Sequence, residues 1–145
     1  PMPTPTDPIL SRAAALALAA ACAACAGCSQ NADITEGPSY PEIRQGATLD
    51  IHVVRDETVI ELTNTTANTI PSCRMWLNRW YSRDLAGLGV GQSVTIGLSE
   101  FKDQYGRSFR AGGFFATERP ETLVQAQLEI EGRMLGLVVI TATDR

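Results

Sequence analysis

The chain has 145 residues and a formal net charge of −4, with 44% apolar and 19% charged residues. This apolar fraction excludes an intrinsically disordered chain, and the length fits one domain, since domains cluster around about 100–150 residues. The acidic balance argues against a nucleic-acid partner, because binding a phosphate backbone requires clustered Lys and Arg. Only one lysine is present, Lys102.

The N-terminus has the parts of a secretory signal. Arg12 precedes an apolar run over 13–21, which is shorter than the roughly 20 residues that span a bilayer. The following Ala26-Gly27-Cys28-Ser29 resembles the lipobox of bacterial lipoproteins, in which the cysteine becomes the lipidated N-terminus after cleavage. The resemblance implies lipidation at Cys28, with Cys22 as the alternative site. A plain secretory signal with incidental cysteines is the other alternative.

The chain therefore divides into three predicted parts: a signal and lipobox segment (1–28), a flexible tether (29–46) and a β domain (47–145). The tether is predicted because 29–46 is polar and contains Gly37-Pro38, Pro41 and Gly46. In the pattern of Gram-negative lipoproteins, Ser29 rather than Asp directly after the lipidated cysteine implies sorting to the outer membrane instead of retention at the inner one. The expected location is thus the bacterial cell envelope, lipid-anchored and facing the periplasm or the surface.

Period-2 alternation and turn signals follow from Ala47 onward. They predict strands over 48–53, 58–64, 73–81, 92–98, 122–130 and 134–141. The first two strands form a hairpin around the polar turn 55–57, and Glu131-Gly132 between the last two is the strongest hairpin signal. About seven strands without a helical period predict an all-β domain, either two packed antiparallel sheets or a small barrel. The stretches 60–66 and 88–96 resemble those of immunoglobulin-like and fibronectin-type bacterial modules, which implies an antiparallel β-sandwich of immunoglobulin-like architecture.

Aromatic and polar residues alternate in the run from Cys73 to Tyr81. If this run is one regular strand, Arg74, Trp76, Asn78 and Trp80 share a face. Such a face is a candidate carbohydrate or peptide platform, because aromatic rings stack on flat ligands while Arg and Asn donate hydrogen bonds. The alternative is that a tryptophan packs in the core, and we expect Trp76 to be the buried one because it is nearer the middle of the run.

Catalytic and metal-binding groups are sparse. Cys73 with His52 as base is the one nucleophilic pair that the sequence offers. The alternatives for Cys73 are a buried free thiol, or a disulfide to Cys28 if that residue is not lipidated. The carboxylate pairs Glu129/Glu131 and Glu100/Asp103 lack the density of a calcium loop, and the thiols at 22, 25 and 28 have no His, Asp or Glu nearby.

We therefore expect no enzyme, metal or cofactor, but a non-catalytic envelope lipoprotein whose β domain is an interaction or structural module. The alternative is a ligand-binding module that uses the Trp76/Trp80 face. The expected partners are the membrane, through the lipid anchor, and an envelope protein or carbohydrate.

Overall fold

Seven β-strands form the framework of residues 37–141, the part of the chain that the computed structural model describes. In chain order they are β1 (Gln45–Asp56), β2 (Val59–Asn64), β3 (Cys73–Leu77), β4 (Tyr81–Leu85), β5 (Ser93–Gly97), β6 (Ala126–Ile130) and β7 (Arg133–Thr141). One 3-10 turn, Leu98–Glu100, follows β5. No helix within 37–141 is long and apolar enough to cross a bilayer. The predicted signal, the lipobox cysteines Cys22 and Cys28, and residues 29–36 of the predicted tether lie outside the described residues.

The strands belong to one mixed sheet with the order β4-β3-β6-β7-β1-β2-β5, curled into a half-barrel. The all-β class and the predicted total of about seven strands are confirmed, although β4 was not among the predicted segments. The sandwich of two antiparallel sheets is not what the structure has, because the first and last strands, β1 and β7, pair in parallel at the centre. This pairing joins the antiparallel groups β4-β3-β6-β7 and β1-β2-β5 into a single sheet.

Local turn chemistry explains the two hairpins that the sequence predicts. Ile130 pairs with Arg133 across a two-residue turn, in which Glu131 (φ 48°) and Gly132 (φ 73°) both have positive φ. A tight turn with two positive φ angles matches the twist of the flanking strands, and glycine adopts it without steric cost. The β1–β2 hairpin turns at Glu57, which also has a positive φ of 46°.

Strand direction defines two ends of the half-barrel. β1, β3 and β7 run the same way, since β7 is parallel to β1 and is linked to β3 through two antiparallel pairings. The end where these strands finish carries the β3–β4 turn, and we call it the Trp80 end. The opposite end carries the β6–β7 turn, and we call it the Gly132 end.

The main core lies on the concave face of the sheet, where alternate residues of each strand meet. Its fully buried members include Ile51, Ile60, Leu62, Leu77, Leu98, Phe101, Phe109 and Leu128. Phe101 and Phe109 belong to the segment that follows β5. This segment reaches the β4 edge of the sheet, where the backbone of Lys102 forms an isolated antiparallel β-bridge with Ser82. The loops after β5 thus cover the concave face that a second sheet would cover in a sandwich.

The segment 37–44 packs on the outer face of the sheet, although it was expected to belong to the tether. Tyr40 lies edge-on to Trp76, with ring centroids 5.2 Å apart. The Gly37 N–H donates to the carbonyl of Gln104 at 3.0 Å. The described part of the chain therefore begins at the Trp80 end and crosses the sheet before β1 begins at Gln45.

Candidate functional site

The structure does not place the four residues of the predicted platform on one face. β3 ends at Leu77 because Asn78 (φ 52°) and Arg79 (φ 59°) turn the chain back into β4. Trp76 is 1% exposed and Trp80, in the turn, is 45% exposed. The prediction that Trp76 is the buried tryptophan is confirmed, whereas the premise of a regular strand from Cys73 to Tyr81 is wrong.

Trp76 has a structural environment outside the main core. Its indole N–H donates to the Glu129 carboxylate at 2.8 Å. The Tyr40 ring covers it, and the Tyr40 hydroxyl donates to the buried Gln127 side chain at 2.9 Å. Gln127 in turn donates to the Gln45 side chain at 2.6 Å. The indole N–H, the Tyr40 hydroxyl and the Gln127 side chain are thus all engaged within the chain, and the buried Trp76 ring has no open face on which a flat ligand could stack.

The other two residues of the predicted platform also make structural contacts. The Asn78 side chain donates to the carbonyl of Thr122 at 2.7 Å and accepts from the backbone N–H groups of Val124 and Gln125 at 2.9 and 3.2 Å. It therefore fixes the segment that leads into β6. Arg74 forms an exposed ion pair with Asp84 across the β3–β4 ladder at 2.9 Å.

Cys73 and His52 do not form a catalytic pair. β6 and β7 separate their strands, which puts β3 and β1 roughly 14 Å apart at the usual strand spacing of about 4.8 Å. Cys73 packs against the core, whereas His52 points outward and lies 3.4 Å from Asp50. Burial, together with the charge of Asp84, raises the pKa of Cys73 to about 11. Its thiol is therefore protonated at neutral pH and a poor nucleophile.

Glu129 and Glu131 make separate contacts. Glu129 accepts the indole N–H of Trp76. Glu131 lies in the β6–β7 turn, where its carboxylate is 3.7 Å from the Arg133 guanidinium. Within the described residues, no group of three His, Cys, Asp or Glu side chains is arranged to hold a metal ion.

Glu100 and Asp103 also hold local structure. Glu100 accepts the Gly97 N–H at 3.0 Å and pairs with Arg83 at 2.8 Å. Asp103 is buried and accepts from the backbone N–H and guanidinium of Arg107, both at 2.8 Å, and from the Tyr105 N–H at 2.9 Å. Burial alone would raise the pKa of Asp103, but these hydrogen bonds outweigh it and lower that pKa.

A cleft of about 380 Å³ opens at the Gly132 end, between the β2–β3 loop and the β6–β7 hairpin. Its charged groups, Glu131 and Arg133, pair with each other, with the guanidinium 3.7 Å from the carboxylate, and so do not converge on a ligand position. The remaining lining residues are Leu49, Thr66, Asn68, Ile70, Pro71, Ile130 and Leu135. A specific small-molecule site needs several polar groups that converge on one point, and this cleft does not supply them.

Among residues 37–141, the most exposed apolar feature lies at the Trp80 end, in the segment 110–121, which we call the Phe loop. Phe114 and Phe115 are 95% and 91% exposed. They occupy the middle of a turn that the Ala116 N–H closes by donating to the carbonyl of Gly113 at 3.0 Å. Gly112 (φ 85°) and Gly113 (φ 110°) lead into this turn with positive φ angles that favour glycine. The two rings lie edge to face, 5.0 Å apart.

The base of the Phe loop is fixed to the domain. The Glu121 N–H donates to the carbonyl of Arg110 at 2.9 Å, which closes the loop. The Arg55 guanidinium donates to the backbone carbonyls of Glu121 and Ala111. Desolvation by burial lowers the pKa of Arg55. The two phenylalanines thus lie at the tip of a loop whose base is held to the domain by these hydrogen bonds.

Tyr81 adds a further contact at this base. Its hydroxyl donates to the Glu121 carboxylate at 2.8 Å, and its ring packs edge-on against Phe109 at 5.1 Å. Burial, followed by the hydrogen bond to and the charge of Glu121, raises the pKa of Tyr81 to about 12. This hydroxyl therefore stays protonated and keeps the contact across the neutral pH range.

The Phe loop is not among the sites predicted from the sequence. The signal was present as Gly112-Gly113-Phe114-Phe115, two aromatic residues directly after two glycines. Neighbouring phenylalanines in a strand would point to opposite faces, with one of them in the core. Only the turn geometry shows that both rings face solvent.

Comparisons with known protein families, with curated proteins and with solved structures find no match to this chain.

Proposed function

We propose that this chain is a non-catalytic lipoprotein of the bacterial cell envelope, whose β domain acts as an interaction module. The observation that carries the proposal is the pair of solvent-exposed rings, Phe114 and Phe115, on a braced loop. Two aromatic side chains of about 150–250 Å² each give an apolar patch of roughly 300–500 Å². Patches of this size on a monomer often mark a surface that contacts a partner.

The chemistry of the remaining polar side chains supports a non-catalytic role. The Cys73 thiol has a raised pKa, and two strands separate it from the strand of His52, the predicted base. The candidate carboxylates at positions 100, 103, 129 and 131 are engaged by backbone N–H groups, an indole or arginines of the same domain. Groups that already hold structure are poor candidates for general acid–base chemistry, which requires contact with a substrate.

The envelope location rests on the N-terminal residues. Lipidation at Cys28 follows from Ala26-Gly27-Cys28-Ser29, and Ser29 favours the outer membrane, with the domain facing the periplasm or the surface. Acyl chains on the cysteine supply stable anchoring where two or more are present. The alternative function, a carbohydrate- or peptide-binding face on Trp76 and Trp80, loses one of its two rings to burial.

The test is metabolic labelling with a fatty acid. Bacteria that express the full chain should incorporate the label into the wild type and into Cys22→Ser, but not into Cys28→Ser. Label that survives Cys28→Ser and disappears with Cys22→Ser moves the anchor to Cys22. Absence of label in the wild type contradicts the lipoprotein proposal.

A further inference from the structure

The Phe loop and Gly37, the first residue that the structure describes, lie at the same end of the half-barrel. Gly37 donates to Gln104, two residues after Lys102, which forms a bridge with Ser82 at the start of β4. Tyr81, the first residue of β4, binds Glu121 at the base of the Phe loop. Both features therefore belong to the Trp80 end.

The length of the connecting chain keeps this end close to the proposed anchor. Eight residues lie between Cys28 and Gly37, and the nine residue-to-residue steps of a fully extended chain span at most about 30 Å. A domain of this size has a radius of gyration of about 13 Å. The inference rests on the proposed function, since lipidation at Cys28 is what would bring the Trp80 end to the bilayer.

The charge distribution of the Phe loop suits a lipid surface. Residues 111–117, which form its tip, carry no charge. The charges nearer its base balance, with Arg110 and Arg119 against Glu118 and Glu121. An uncharged aromatic tip enters the region between headgroups and acyl chains without the cost of desolvating a charge, and Phe is typical of such faces. The absence of a basic cluster in 110–121 favours zwitterionic lipid over a specifically anionic surface.

We propose that Phe114 and Phe115 insert into the lipid surface to which the chain is anchored. The lipidated N-terminus then supplies the affinity, and the Phe loop supplies a second contact that orients the domain. With two points of contact at the Trp80 end, the Gly132 end and its cleft point away from the bilayer.

The experiment places a fluorescent reporter at the tip of the loop in the full, lipidated chain. Phe115→Trp is combined with Trp80→Phe, so that the buried Trp76 is the one other indole. The matched control carries Val90→Trp in the same background. Val90 is 58% exposed and lies in the β4–β5 connection at the Gly132 end. Both proteins are reconstituted into phosphatidylcholine vesicles, with or without bromine on the acyl chains.

For Phe115→Trp we expect a blue-shifted emission that is lost in brominated vesicles and is protected from iodide in the aqueous phase. For Val90→Trp we expect no loss in brominated vesicles and free access to iodide. A fatty-acid-labelled chain whose indole at position 115 stays open to iodide and unquenched by bromine overturns the insertion and leaves the lipoprotein proposal intact.

The remaining outcomes are also decisive. An indole at position 115 that is shielded from iodide but unaffected by bromine means that protein, a second copy or another partner, covers the loop, and this overturns lipid insertion. A chain that incorporates no fatty acid overturns both proposals, because nothing then holds the Trp80 end at the bilayer.

Discussion

Replacing Trp76 by alanine should destabilise the domain far more than the same change at Trp80. Trp76 is 1% exposed, and its replacement also deprives the Glu129 carboxylate of its indole donor and the Tyr40 ring of its aromatic neighbour. Truncation of a buried Trp to Ala costs about 3–5 kcal/mol in unfolding free energy, from lost transfer energy and the cavity left behind. Domains of this size have only about 5–15 kcal/mol in total.

The matched variant, Trp80→Ala, changes a side chain that is 45% exposed in the β3–β4 turn. Its expected cost is about 1 kcal/mol or less, since a half-exposed ring has less transfer energy to lose. Trp76→Phe keeps a ring against Tyr40 and loses the N–H donor, so an intermediate cost of about 1–2 kcal/mol is expected.

The assay is urea unfolding of the three variants in one background, followed by far-ultraviolet circular dichroism, because tryptophan fluorescence changes with the substitutions themselves. With a slope of about 1–3 kcal/mol per molar urea, Trp76→Ala should lower the midpoint by roughly 2 M. If Trp80→Ala costs as much as Trp76→Ala, or if both match the wild type, the burial of Trp76 under Tyr40 is refuted.

Three further predictions concern single side chains. With the other three cysteines replaced by serine, Cys73 should react with a thiol reagent at pH 8 about 100-fold more slowly in the folded chain than in urea, because its pKa is raised to about 11; equal rates would contradict this. The lowered pKa of Asp103 contributes stability that is present above the unfolded pKa of about 3.9 and is lost as pH falls through the folded value. The urea midpoint of Asp103→Asn should therefore fall less than that of the wild type as the pH is lowered from about 5 to 2. If the two midpoints fall in parallel with pH, the stabilising contribution of the Asp103 carboxylate is refuted. Asn78→Ala should cost about 2 kcal/mol by urea unfolding, because it removes three hydrogen bonds to the segment 122–125 at a positive-φ residue; a cost near zero would show that this segment needs no such support.

The sequence was most informative where structure depends on neighbouring residues. The alternation at Leu49, Ile51 and Val53 fixes which face of β1 is buried, and Glu131-Gly132 fixes a tight hairpin through its positive φ angles. These features follow from side-chain period and local backbone sterics, so they can be derived from a short window. The break at Asn78 was missed because nothing in the alternation of the run 73–81 marks it, and the strand β4 was missed with it.

Three features needed the tertiary structure, and they share a physical cause. The parallel pairing of β1 with β7, the cover of Tyr40 over Trp76 and the joint position of Gly37 and the Phe loop all bring together residues far apart in the chain. Such contacts are selected by the total apolar area that the whole fold buries, and the local pattern of one segment does not specify which distant segment it contacts. The sequence by itself therefore determined the all-β class and two hairpins, while long-range packing decided the single mixed sheet, the burial of Trp76 and the exposure of Phe114 and Phe115.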